Sequence, residues 1–183
     1  MKRLIASDIH GSLAFCQKLL DLYERERAQE LILLGDLAFS GVRDPAFLYD
    51  PQGVVELLDP LARRIYCVEG NCDYALSRLN PAFSSEPNCM LARWEDWTGF
   101  LTHGHWYGPQ NPPPMGTAQV LLSGHTHVPS YERMGDLICA NPGSVSLPRG
   151  GSPHSCLIWE DGLLRWLTLA GEEYRRETLP ADI

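Results

Sequence analysis

No stretch of the 183 residues approaches the roughly 20 consecutive apolar residues that a membrane-crossing helix needs. The opening residues, Met1-Lys2-Arg3-Leu4-Ile5-Ala6-Ser7-Asp8, carry the charges of a secretory leader but meet an aspartate before any useful apolar run. Internal repeats and low-complexity tracts are also missing, which argues against a solenoid or a disordered linker. Positive charge is scarce: the formal net charge is -8, so the surface as a whole repels a polyanion. Stable binding along a nucleic-acid backbone is therefore not its expected mode, although a local metal charge would still attract phosphate. The six cysteines, at 16, 67, 72, 89, 139 and 156, form no CxxC pair and lie mostly within apolar runs. They read as buried thiols in a reducing compartment, and the expected location is cytoplasmic.

What remains is the composition of a globular protein, with 44% hydrophobic and 21% charged residues. The length suits one domain over residues 1–183, with a core that needs no disulfide staples. Apolar runs at 4–7, 31–34 and 65–68 are too short for helices and read as strands. Each stops at polar residues: Asp8-Ile9-His10-Gly11, then Gly35-Asp36, then Glu69-Gly70-Asn71-Cys72-Asp73. Between them Ser12 opens a helical pattern with Leu13, Cys16, Leu20 and Tyr23 on one face. A loop containing Gly41, Pro45 and Pro51 leads to a second helix around 54–61. Strands alternating with helices imply parallel pairing, and in such sheets sites form at the carboxyl ends of strands. Asp8, His10, Asp36 and Asn71 are thus expected to converge.

The second half reads mainly as strands, at 89–94, 100–103, 119–124, 131–134, 137–141, 156–160 and 163–169. Gly135-Asp136 and Asp161-Gly162 have the look of hairpin turns, the latter of type I′. Pro109 and Pro112-Pro113-Pro114 forbid a helix over their loop. Two more strand ends carry imidazoles, His103-Gly104-His105 and Gly124-His125-Thr126-His127. Alternation along a strand would point His125 and His127 the same way. Each fragment alone is an ordinary loop acid, turn residue or polar side chain. Recurrence at five strand ends, with seven candidate ligands (Asp8, His10, Asp36, Asn71, His103, His125 and His127), points to a metal centre.

With DxH at 8–10, GD at 35–36, GNCD at 70–73, HGH at 103–105 and GHTH at 124–127, the chain resembles the calcineurin-like metallophosphoesterases over nearly its whole length. HGHWYGP at 103–109 and NPGSVSLPRGG at 141–151 make it most similar to the small YfcE-like bacterial phosphodiesterases. The resemblance implies an α/β fold, a four-layer α/β/β/α sandwich. It also implies two divalent ions, with Asp8, His10 and His127 on one, Asn71, His103 and His125 on the other, and Asp36 bridging. A bridging carboxylate offsets the repulsion of two ions about 3.5–4 Å apart, and a hydroxide held between them attacks phosphorus in line. The family favours manganese, with zinc or iron also suited to ligands of this kind.

Of the remaining residues, His105 either contacts phosphate or the leaving group, or is merely exposed; Asp73 either orients a ligand or caps a helix at Tyr74. Cys72 stands where many members carry a histidine able to protonate the leaving group. A thiol is a poorer acid there, so action is expected to be best on phosphodiesters with acidic leaving groups, unless Cys72 merely packs; the expected catalytic set is Asp36, Asn71, Cys72 and His105. Trp106 and Tyr107 either wall the pocket, pack, or form an oligomer contact, and 141–144 shapes the backbone beneath the metal histidines. A phosphomonoesterase or nucleotide phosphatase of this fold is the nearest rival, though Gly35-Asp36-Leu37-Ala38-Phe39-Ser40-Gly41 lacks the arginine of GDxVDRG. The retromer-subunit branch of the fold offers a protein-binding scaffold instead, and intact ligands argue against it. A homo-oligomer is compatible with exposed strand edges.

Overall fold

The computed structural model describes residues 1–39, 45–94, 97–114, 116 and 118–180. The loop position expected at Gly41, together with Ser40 of the same motif, lies outside the described residues. Three short parallel strands start the fold: β1 (Arg3–Ala6), β2 (Glu30–Leu33) and β3 (Ile65–Cys67). They form one side of a six-stranded sheet whose other side is antiparallel, built from β9 (Ser155–Glu160), β10 (Leu163–Thr168) and β11 (Glu173–Thr178) in the order β11-β10-β9-β1-β2-β3. The five-stranded sheet holds β4 (Cys89–Trp94), β5 (Trp97–Thr102), β6 (Val120–Leu122), β7 (Ser130–Met134) and β8 (Leu137–Asn141), in the order β4-β5-β6-β8-β7.

The period of two along each strand sorts the side chains into layers. Leu4, Ala6, Leu31, Leu33 and Cys67 turn outward beneath the helices α1 (Leu13–Glu26) and α2 (Pro51–Leu58). Ile5, Ile32, Leu157, Trp159 and Trp166 turn inward, against Trp94, Leu101, Val120, Leu122 and Ile138 of the second sheet. Trp94 and Trp159 meet edge to face at 5.1 Å in this inter-sheet core. On the far face of the second sheet, Phe100, Leu121 and Cys139 are covered by the loop carrying Tyr107. The result is the sandwich of two mixed sheets that the motifs imply, with few helices. No helix among the described residues is long and apolar enough to cross a membrane.

Local chemistry accounts for the boundaries that differ from expectation. Helix α1 is capped by Ser12, whose hydroxyl accepts from Phe15 N, and it buries Cys16, Leu19, Leu22 and Tyr23, with Leu20 only partly buried. Helix α2 starts at Pro51, not at 54, because Asp50 accepts from Gly53 N and Pro51 fits the first helical position. It stops at Leu58: Pro60 has no N–H to continue the ladder, and the chain tightens into a 3₁₀ stretch over Asp59–Arg64. Strand β11 has no apolar alternation to betray it. Its inner face is closed by an arginine, Arg175, whose guanidinium lies 5.1 Å from the Trp166 ring and 5.7 Å from that of Tyr131. The hairpin at Asp161-Gly162 has positive φ at both residues, 49° and 77°, as a type I′ turn requires.

Candidate metal centre

The parallel order β1-β2-β3 sets the loops after those strands side by side. Asp8 N donates to Gly35 O (3.1 Å), His10 N to Asp36 O (2.8 Å) and Gly11 N to Leu37 O (2.7 Å), so the first two loops are laced together by backbone bonds. Asp73 joins the third: one carboxylate oxygen accepts from Leu37 N (2.9 Å) and Ala38 N (3.2 Å), the other from Gly70 N (2.9 Å). Burial pushes the Asp73 carboxyl above its ordinary pKa despite these bonds. Its other expected role fails. No α-helix starts at Tyr74; a 3₁₀ turn over Leu76–Leu79 follows, with Ala75 in the cap position and no side-chain cap bond.

From the second sheet, His103 follows β5 and Gly124 follows β6, with Gly124 N donating to His103 O at 2.8 Å. Ser144 and Ser146 complete the frame, both donating to Asp8 O at 3.0 and 2.9 Å, and Asn141 Nδ2 donates to Gly124 O at 2.8 Å. The segment 141–144 thus supports the loops as expected, while the role of Ser146 had no local signature.

The seven candidate ligands come together. Asp8, His10 and His127 form one group whose ligand atoms lie within 4.8 Å of one another, and Asp8, Asp36 and His103 form another. Asp36 Oδ2 lies 3.6 Å from His10 Nε2 and 3.4 Å from His103 Nε2, between the two halves. Beyond it, Asn71 Oδ1 and His125 Nδ1 are each 3.2 Å from His103 Nε2. The Nδ1 atoms of His10, His103 and His127 donate to the carbonyls of Phe39, Leu34 and Leu147 at 2.8, 2.7 and 2.6 Å. That fixes the tautomer and turns each Nε2 lone pair inward. Cys72 stands at the rim: its N donates to Asp36 Oδ1 (2.8 Å), and its thiol groups with His10 and Asp36. His105 is half-buried with its ring 5.4 Å from that of His103 and 6.2 Å from that of His125, outside the ligand groups.

One expectation is corrected. His125 and His127 do not share a direction by alternation along a strand, because β6 ends at Leu122 and both residues adopt left-handed backbone, φ 66° and 61°. Asp8, His10 and Asp36 are left-handed too, at 60°, 51° and 53°. Five of the seven candidates therefore sit in a conformation that non-glycine residues avoid, held there by the frame just described.

A divalent ion fits this donor set. The buried Asp8 Oδ1 has no hydrogen-bond partner among the described residues, and lone pairs face one another where His10 Nε2 and His127 Nε2 lie 3.4 Å apart. A cation relieves both. Burial pushes Asp36 up, but the hydrogen bond and charge of His103 outweigh it and hold the carboxyl well below the usual range. Burial alone would push His103 and His127 down; their carboxylate partners, Asp36 with Asp8 and Asp8 respectively, hold both above the ordinary imidazole value. Burial, then the neighbouring His103, pushes His105 and His125 below it.

Protons and a metal would compete at His103 and His127, since each ring must be neutral to bind an ion. Ion binding there would release protons, and apparent affinity would rise with pH until both rings are neutral. Calorimetry of Mn²⁺ binding at about pH 6 and about pH 8 is expected to show the tighter binding at the higher pH, with a buffer-dependent enthalpy. Equal affinity at the two would count against these rings as ligands.

Two mixed sheets packed face to face, with acids and imidazoles gathered where strands of both end, are the architecture of the metallophosphoesterases. Residues 1–161 match the calcineurin-like phosphoesterase superfamily domain, and the chain belongs to that family. Phosphodiesterase YfcE of Escherichia coli (strain K12) is 38% identical over 170 residues, 92% of each chain. The solved structure of YfcE, a phosphoesterase from E. coli, agrees with a TM-score of 0.89 at 36% identity, over 98% of this chain and 100% of that one. Vps29 from Entamoeba histolytica, solved in complex with zinc, gives a TM-score of 0.68 at 20% identity over 97% of this chain and 99% of that one, a likeness in fold alone. The resemblance read from the motifs is borne out.

Proposed function

We propose that the protein is a metal-dependent phosphodiester hydrolase with two divalent ions. The observation that carries this reading is the position of Asp36, whose Oδ2 faces imidazoles of both halves of the cluster. Asp8, His10 and His127 would hold one ion and Asn71, His103 and His125 the other, with Asp36 shared. Manganese is the proposed metal, zinc or iron the alternatives. When bound, such ions offset the charge of the phosphoryl oxygens and acidify water near neutral pH.

The chain's own residues do the rest. The carbonyls of Phe39, Leu34 and Leu147 hold three imidazoles in register, and the bond from Cys72 N fixes the Asp36 carboxylate. Burial, then the Asp36 charge, pushes the Cys72 thiol up to about 12, far from the range in which a general acid works best. A thiol in that place is a poorer proton donor to a departing alkoxide than an imidazolium would be. His105 stands close enough to the cluster to touch a bound phosphoryl group or leaving oxygen. The six free thiols agree with a reducing, cytoplasmic setting.

The test is hydrolysis of bis(p-nitrophenyl) phosphate by chelated, then manganese-loaded, protein. Turnover restored by metal is expected, and its absence would overturn the enzyme reading. Aryl diesters are expected to react far faster than alkyl diesters. Cys72→His should narrow that gap by about tenfold or more, within the range that general-acid assistance supplies. An aryl-to-alkyl ratio unchanged in the variant would show that Cys72 only packs.

A further inference from the structure

A cavity of about 550 Å³ opens from the centre, with His105 and His125 among its lining residues. One wall is Trp106, 64% exposed on a loop braced from within: Asn111 Nδ2 donates to Trp106 O at 2.9 Å, and Gly108 and Asn111 exchange backbone bonds of 3.2 and 3.1 Å. Tyr107, the next residue, turns the other way and packs edge to face on Phe100 at 6.2 Å. The two aromatics thus divide the work that the sequence left open between them. Glu132 of β7 also lines the cavity, and among the described residues no other Asp, Glu, Lys or Arg does. Its carboxylate has no ion-pair partner among the described residues. The neighbouring Arg133 is occupied elsewhere, its Nε donating to Gly135 O at 3.0 Å.

An aromatic face together with an unpaired carboxylate, and no cation to oppose them, is complementary to an organic ammonium group and repels a second phosphate. The lining runs from His125, beside the metal cluster, to Glu132, so a ligand anchored by phosphate at the centre can extend one arm into it. Resting on the phosphodiesterase reading above, we infer that this cavity receives one arm of the substrate and that the arm is cationic. The substrate class is a single-phosphate diester of an amino alcohol or of choline. Trp106 offers its ring to the ammonium and Glu132 its charge. Nucleic-acid strands, with further phosphates along each arm, are disfavoured by the same field.

The experiment compares kcat/KM of the manganese-loaded protein for p-nitrophenyl phosphorylcholine and for its neutral isostere, p-nitrophenyl 3,3-dimethylbutyl phosphate, in which carbon replaces the charged nitrogen. A preference for the choline ester of about five- to tenfold is expected, the combined scale of one cation–π contact and one exposed ion pair. Glu132→Gln and Trp106→Ala should each reduce that ratio by about two- to fivefold. Calorimetry with phosphocholine, on the native chain and on Glu132→Gln, supplies a readout independent of turnover. A native ratio at or below one, or a ratio that Glu132→Gln leaves intact, overturns the inference while hydrolysis of bis(p-nitrophenyl) phosphate upholds the enzyme. Loss of all turnover with Glu132-dependent phosphocholine binding would instead sink the enzyme reading and keep the cavity's specificity. Absence of both binding and turnover overturns the inference as well.

Discussion

Asp36→Asn is expected to lower metal-dependent hydrolysis of bis(p-nitrophenyl) phosphate by at least about 10³-fold, more than loss of a single preorganised donor typically costs. Asparagine is the informative substitution because Asp36 has φ 53°, a conformation that asparagine tolerates and alanine resists. The amide keeps an acceptor for the bond from Cys72 N, so the loop can stay in place. What changes is charge: with the amide oxygen kept by Cys72 N, an NH₂ stands where Oδ2 faced His10 and His103, directed at the ions' place. Elemental analysis should find fewer ions per chain than in the native protein. The metal-free variant should melt lower than the metal-free native chain, since the ionised Asp36 is stabilised in the fold by His103 and the amide gives up that charge. Activity within about tenfold of native would show that Asp36 does not hold both halves together.

Gly70→Ala should be nearly as damaging, although Gly70 contributes no ligand atom. A Cβ at Gly70 would fall against Asp36 Oδ1, 2.5 Å from the Asp36 N and 2.8 Å from its Cγ. The obstacle is backbone and the shared carboxylate, neither of which can swing aside like the tip of a flexible side chain. Overpacking of this kind costs on the order of 3 kcal/mol, which for a chain this size lowers Tm by about 6–12 °C. The loops after β2 and β3 must separate to admit the methyl group, so metal uptake and hydrolysis should fall with stability. Differential scanning calorimetry with metal analysis checks both. A Tm within about 2 °C of native, with metal content unaltered, would show that these loops are less tightly meshed than they stand.

Much of this was legible in the chain because the signals are local. An apolar run ending in a polar residue marks a strand and its exit, and five such exits place Asp8, His10, Asp36, Asn71, His103, His125 and His127 at one edge of the sandwich. Strands β4 and β8 have the expected bounds, since each opens on a run of four apolar residues, Cys89–Ala92 and Leu137–Ala140, too short for a helix. The illegible parts depend on distant partners. Strand β11 is charged along its length and becomes a strand only because β10 offers it a ladder and Trp166 offers Arg175 a ring. The bonds from Ser144 and Ser146 to Asp8 O span 136 and 138 residues, and no pattern within a window of sequence encodes them. The left-handed turns at His125 and His127 likewise follow from the frame around Gly124, not from the two histidines themselves.

The cluster lies across the seam between the sheets. Asp8, His10, Asp36 and Asn71 leave the six-stranded sheet, while His103, His125 and His127 leave the five-stranded one. A pair of ions held there would act as a rivet through both layers, so whatever free energy the ions contributed would resist the sliding or parting of the sheets. The apolar layer around Trp94 and Trp159 and the ionic cluster at its edge would then open together, and loss of metal would be felt by every strand, far beyond the loops after β1, β2 and β3.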